Sequence, residues 1–224
     1  MIYLKLLRPK DWAKNLFLYI PLFFAGEIFN WIKVFHVFEG FVAFCCIASS
    51  IYIINDYTDK EDDKKHPEKR NRPIASGAVS PTVALTIFAI LVVAGFVTAY
   101  FINSRFLFLL ALYFFLNIGY SFGLKNIPIL DIFIIAIGFA LRVRSGGNIA
   151  KVDVTIWLNI MIFLLALFMA AGKRRDDVLL KISSGNDMRK SVKGYTLDFL
   201  NALLALISSV MIVSYFMYTV SDRV

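Results

Sequence analysis

Charge is scarce in this chain. Asp, Glu, Lys and Arg supply 18% of its 224 residues, against about 25% in an ordinary soluble domain. Cysteine is nearly absent. Cys45 and Cys46 are the two present, adjacent in one apolar run. Neighbours in a helix do not readily bridge, and no metal-ligand spacing surrounds them, so a disulfide framework and a cysteine metal site are both excluded. The two histidines, His36 and His66, form no cluster. Alternating apolar and polar residues are missing too, which argues against membrane strands. There is no low-complexity linker and no internal repeat. What the chain has is apolar length. Hydrophobic residues make up 59% of it and the mean hydropathy is +0.70. Apolar runs near 20 residues recur, the length that matches the hydrocarbon core of a bilayer.

These runs predict an all-α, polytopic transmembrane bundle of about seven spans, in one domain over 1–224. The spans are read at 15–32, 35–56, 81–102, 105–122, 128–145, 154–172 and 198–220. The first contains Pro21 and Gly26, which predict a kink. The fifth contains Gly138, Arg142 and Arg144 and is the least conventional. The N-terminal MIYLKLLRPKDWAKN is basic but lacks a small-residue cleavage site, so the first span reads as retained. With the N-terminus inside, the segments 1–14, 57–80, 123–127 and 173–197 hold four, six, one and seven of the 24 basic residues. That bias fits the positive-inside rule. The net charge of +8 therefore reports topology and not nucleic-acid binding. Lys33, Arg105, Arg142, Arg144, Lys151 and Arg223 fall outside the pattern.

The informative stretch closes the second span. Asp56, Asp59 and Asp63 are spaced i, i+3, i+7, one face of a helix. Three carboxylates on one face repel and call for a cation. Hard oxygen ligands suit Mg²⁺, which is commonly held by one or two carboxylates plus substrate phosphates. Asn55 adds an amide oxygen. The bland alternative is a solvated acidic patch paired with nearby lysines. Lys64, Lys65, Lys69, Arg70 and Arg72 follow at once, beside Pro67 and Pro73. Basic groups there would take phosphate oxygens that the metal leaves uncovered. The bland alternative for each is topology and attraction to anionic lipid.

The run NDYTDKEDDKKHPEKRNRPIASG resembles the NDxxDxxxD motif and following loop of the UbiA superfamily of intramembrane prenyltransferases, with Asn55, Asp56, Asp59 and Asp63 on the pattern. Four further segments are similar to its decaprenyl-phosphate phosphoribosyltransferase branch: LRPKDWAKN at 7–15, YSFGLKNIPILD at 120–131, GFALR at 138–142, and GKRRDD at 172–177 with RKSVKGYT at 189–196. The resemblance implies a bundle with a cavity open to the cytoplasmic face and to lipid. It implies Mg²⁺ held by Asn55, Asp56, Asp59 and Asp63, and transfer of 5-phosphoribose from phosphoribosyl diphosphate to a polyprenyl phosphate in the plasma membrane. The alternative is a prenyl diphosphate joined to an aromatic or other acceptor. Two departures stand out. The superfamily usually has nine spans, so the chain is expected to be either a short relative or C-terminally incomplete. The second motif, Lys173-Arg174-Arg175-Asp176-Asp177, is dominantly basic, which favours a donor carrying an extra phosphate.

The resemblance assigns Asp56, Asp59 and Lys173 to catalysis. Lys14, Arg70, Arg72, Lys125, Asp131, Arg142, Arg174 and Asp177 are assigned to substrate. Lys173 and Asp177, at i, i+4, are expected to serve substrate, the bland alternative being a pair across one helix turn. Asp131, a carboxylate entering an apolar helix, is expected to orient the ribose hydroxyls or to pair with Arg142. Arg142 lies 11 residues on, about 16 Å along a helix. Membrane lipids are expected partners, and an oligomer is open.

Overall fold

The computed structural model describes residues 2–65, 67–184 and 194–220, with backbone alone at 181, 183 and 184. His66, Arg189, Lys190, Lys193 and Arg223 lie outside the described residues. Among those described, the regular elements are all helical. Six helices are long and apolar enough to cross a membrane: α3 (Trp31–Thr58), α5 (Pro81–Ile102), α6 (Ser104–Ser121), α7 (Leu130–Ala150), α8 (Ile156–Ser184, its apolar part ending at Leu180) and α9 (Leu197–Val220). Their starts are written in the sequence. Asn30 accepts from the Lys33 amide at the head of α3, Ser80 from Val83 before Pro81, and Asn103 from Phe106. Each side chain satisfies an amide that the first helical turn leaves without a partner. α3 has 28 residues, or about 42 Å at 1.5 Å each, which is longer than the roughly 30 Å hydrocarbon core. Its last turns, which carry Asn55 and Asp56, reach the level of the head groups.

The expected first span at 15–32 is not a single helix, so six long helices stand where seven spans were expected. After the short α1 (Ile2–Leu7), residues Pro9–Tyr19 form an 11-residue 3₁₀ helix, followed by the five-residue α2 (Ile20–Phe24) and a turn through Gly26 at φ 69°. Pro9 and Pro21 lack the amide hydrogens an uninterrupted α-helix would use. The segment nevertheless runs along the C-terminal half of α3, from Phe41 to Asp56, antiparallel to it. Arg8 meets Asp56, the Trp12 indole donates to Ser49 Oγ at 3.0 Å, the Asn15 amide to Cys45 Sγ at 3.2 Å, and the Tyr19 ring lies 6.4 Å from that of Phe41. From Arg8 to Tyr19 the segment advances 11 residues while α3 retreats 15. Fifteen α-helical residues measure about 22 Å, so the segment rises about 2.0 Å per residue, the 3₁₀ value. Trp12, Asn15 and Leu18 recur every third residue and so line one row, with Asn15 and Leu18 fully buried.

The chain folds as two compact units. The first comprises Met1–Phe122 and Arg144–Asp153. In it α3 packs most extensively on α5, at Gly95, where an added Cβ would press on Ile47 and the Ala43 carbonyl. Phe44 of α3 meets the rings of Phe106 and Tyr113. At Gly146 a Cβ would overlap the Leu18 backbone of the 3₁₀ segment. Backbone cannot swing aside as a side chain can, so Gly146→Ala is expected to cost at least about 1–3 kcal/mol. A thermal midpoint equal to that of the parent would refute this contact. The second unit comprises Gly123–Val143 and Val154–Val224. Here α8 packs on α9 around Ile132, Leu164, Leu167, Ala171 and Ile207.

Candidate functional site

Two buried polar clusters stand out, one in each unit. The first gathers where α3 ends. α3 and the short α4 (Lys60–Lys65) are joined at Asp59. The Asp59 amide donates to the Asn55 carbonyl at 3.0 Å and the Asp63 amide to the Asp59 carbonyl at 2.8 Å, so the i→i−4 ladder runs through the joint. Asp56 and Asp63 are each 2% exposed. Three cations meet them. Arg8 Nη2 donates to Asp56 Oδ1 at 2.5 Å. Arg72 Nη1 bridges the two aspartates, 3.0 Å from Asp56 Oδ1 and 2.7 Å from Asp63 Oδ2. Lys69 Nζ lies 3.8 Å from Asp63 Oδ1. The cation that carboxylate crowding called for is therefore mainly arginine.

Apolar anchors put these arginines in place. Leu6 and Ile74, both fully buried, join Ile53, Val79 and Ala84 in one cluster. Leu6 precedes Arg8 by two residues, and Ile74 follows Arg72 by two. The loop between is closed by backbone bonds from Ser76 to Arg72 and from Val79 to Pro73, both 2.9 Å, with Gly77 at φ 78°. Arg8 itself takes a left-handed backbone, φ 52°. Its guanidinium also lies 4.9 Å from the centre of the Tyr52 ring, against which Lys14 packs at 5.9 Å. Lys14 donates to Asp11 Oδ1 at 2.6 Å and to the Tyr52 hydroxyl at 3.4 Å. Arg70 is exposed.

Does this geometry suit Mg²⁺? Asp56 and Asp63 already share one cation, the Arg72 guanidinium, and two carboxylates completed by substrate phosphate oxygens are an ordinary Mg²⁺ environment. The pair fits. The larger expected set does not come together: no three or more His, Cys, Asp or Glu side chains converge on a common point among the described residues. Asn55 and Asp59 stay half-buried beside the pair.

The second cluster corrects one of the two alternatives for Asp131, its pairing with Arg142; the residue is fully buried at the head of α7. Its partner is not Arg142. Arg174 Nε donates to Asp131 Oδ2 at 2.6 Å, the Tyr195 hydroxyl donates to Asp131 Oδ1 at 2.6 Å, and that hydroxyl accepts from the Ile129 amide at 2.6 Å. Ile129 has φ 72°, a conformation costly for a β-branched residue. Burial, and then the bond to Asp131, push the Tyr195 phenol above its ordinary value of 10.0, so it stays a donor at neutral pH. Arg174 Nη1 also donates to Asp177 Oδ2 at 3.1 Å. The expected Lys173–Asp177 pair does not form, since Asp177 takes the arginine one place along and Lys173 is exposed. Arg142 is buried but donates to the Gly138 carbonyl at 2.9 Å and sits 5.4 Å from the Phe139 ring centre. Lys125 is half-buried in the 3₁₀ turn Leu124–Asn126. Arg8, Tyr52 and Tyr195 were not among the expected site residues. Tyr52 had a signal, four residues before Asp56 on the same helix face, whereas Arg8 and Tyr195 depend on partners distant in sequence.

The chain is similar to known proteins. A family model described as UbiA prenyltransferase family matches residues 16–177. The decaprenyl-phosphate phosphoribosyltransferase of Mycolicibacterium smegmatis is 37% identical over 98% of this chain and 71% of its own length. That of Corynebacterium glutamicum is 34% identical over 95% of this chain and 65% of its own length. The chain thus spans about two thirds of these relatives. A UbiA homolog from Archaeoglobus fulgidus bound to GPP and Mg²⁺ superposes over 100% of this chain and 80% of that one, with a TM-score of 0.80 at 19% identity. With the all-helical architecture, the acidic motif at the end of α3 and a family match across most of the sequence, the chain belongs to the UbiA prenyltransferase family.

Proposed function

We propose that the chain transfers 5-phosphoribose from phosphoribosyl diphosphate to a polyprenyl phosphate, releasing diphosphate, at the cytoplasmic face of the plasma membrane. The observation that carries this is 37% identity, along 98% of the chain, to a protein named for that activity. The charge pattern supports it. Three cations surround two buried aspartates in the first unit, and the second motif is basic, as a donor with three phosphoryl groups requires.

Asp56 and Asp63 would hold Mg²⁺, with Asn55 and Asp59 on the same helical face. When bound, the metal supplies positive charge to the diphosphate oxygens. Arg72 and Arg8, which hold the two carboxylates, would meet the diphosphate oxygens, where negative charge grows as the bond from ribose C1 to the diphosphate breaks. Lys69 and exposed Arg70 extend this surface. An oxygen of the polyprenyl phosphate forms the new bond to C1. That oxygen is already anionic, so no strong base is needed and positioning does most of the remaining work. Within the first unit Lys14, and within the second exposed Lys173, half-buried Lys125 and buried Arg142, are further proposed substrate contacts. Arg174 and Asp177, locked together with Asp131, hold the basic motif in place.

Incubating the protein in detergent with labelled phosphoribosyl diphosphate, Mg²⁺ and polyprenyl phosphate is expected to move label into the organic phase. Transfer to an aromatic acceptor from a prenyl diphosphate, with none from the ribosyl donor, would replace this reading with the aromatic prenyltransferase one.

A further inference from the structure

Among the described residues, three that are not glycine have positive φ: Arg8, Ile129 and Lys151. The first two lie in the polar clusters. The third is at the opposite end of the first unit's helices, far from the acidic motif. Lys151 follows the last residue of α7. Its amide donates to the Asn148 carbonyl and the Val152 amide to the Gly147 carbonyl. This is the paired-bond cap whose left-handed position glycine usually fills. Here it carries a lysine at φ 52°. Breaks in a local rule are expected at functional or strained sites.

A cleft of about 540 Å³ opens there, lined by Asn103 and Arg105 at the α5–α6 joint and by Asn148, Lys151 and Asp153 after α7. Neither Arg105 nor Lys151 forms an ion pair among the described residues. Asn148 Oδ1 is buried with no donor. Both cations also belong to the few basic residues that the positive-inside pattern leaves unexplained. Arg105 and Lys151 against the one carboxylate of Asp153 leave the lining net positive, which suits an anion, and an unmet carbonyl-type acceptor suits a hydroxyl. The cleft sits at the ends of the apolar helices α5, α6 and α7, at head-group depth. From this juxtaposition we infer that the cleft binds the head group of an anionic glycerophospholipid, its phosphodiester on Arg105 and Lys151 and its glycerol hydroxyl on Asn148.

The test uses the full chain in mixed micelles with equimolar phosphatidylglycerol and phosphatidylcholine, with retained lipid counted by native mass spectrometry. Phosphatidylglycerol is expected to be retained preferentially, and each cation should be worth about fivefold, as one basic residue near an anionic surface typically is. Arg105→Ala and Lys151→Gly are each expected to lower that preference. Lys33→Ala, whose lysine pairs with Glu27 at the same end of α3, should leave it unchanged. Lys151→Gly further separates binding from folding. Glycine relieves the left-handed backbone, so the thermal midpoint should hold or rise while lipid is lost. Equal retention of the two lipids would overturn the inference. So would a Lys151→Gly variant that loses thermal stability and keeps the lipid, or displacement by soluble glycerol phosphate as effective as by the lipid.

Discussion

Asp131→Ala is expected to lower the thermal midpoint of the protein by roughly 10 °C. The residue is fully buried and satisfies two donors, Arg174 and Tyr195, at 2.6 Å each. Arg174 is itself 5% exposed. Removing the carboxylate breaks a buried ion pair and leaves the guanidinium, which also meets Asp177, short of one carboxylate, and breaking such a buried pair typically costs about 3–5 kcal/mol. In a chain of this size each kcal/mol moves the midpoint by about 2–4 °C. The double variant Asp131→Leu with Arg174→Met should recover much of the loss, because it removes the buried guanidinium along with the carboxylate. Thermal unfolding in detergent, followed by a thiol-reactive dye that reports cysteine exposure, reads both. A single variant as stable as the parent would mean that the pair carries no structural weight.

The largest effect on turnover is expected at the other cluster. Asp56→Asn and Asp63→Asn keep side-chain size but remove half the charge that Arg72 bridges. Removing groups that stabilise developing charge commonly costs about 10²–10³ in rate, and loss of the ion as well should take each variant to that range or beyond. Asp62→Asn, at an exposed neighbouring position, is expected to turn over at the parental rate. Mg²⁺ titration by calorimetry in the presence of diphosphate should show the same order. Near-parental turnover in both Asp56→Asn and Asp63→Asn would remove the metal assignment.

The acidic motif is legible in the sequence because its meaning is local: Asp56 and Asp63 stay together across the α3–α4 joint, where backbone bonds run from Asp59 to Asn55 and from Asp63 to Asp59. The cations that answer it are only partly legible. Arg72 lies 16 residues from Asp56, within the same motif loop, but Arg8 lies 48 away and reaches it through a left-handed turn that arginine seldom adopts. For Asp131 the sequence points to an arginine on its own helix. Eleven residues of α-helix separate those groups by about 16 Å, too far for contact, and the actual partner comes from α8, 43 residues on. The first span escapes sequence reading for a different reason. Hydropathy counts residues, and a 3₁₀ helix of given composition looks the same as an α-helix while covering more distance.

That distance has a mechanical consequence. Rewinding the 11 residues from Pro9 to Tyr19 into α geometry would shorten the segment by about 0.5 Å per residue, some 5–6 Å in total. Tyr19 is held beside Phe41 at one end, so the contraction would fall on the other and pull Arg8 clear of Asp56. The grip on the aspartates therefore depends on the extended 3₁₀ form of a segment whose other end is about 22 Å away.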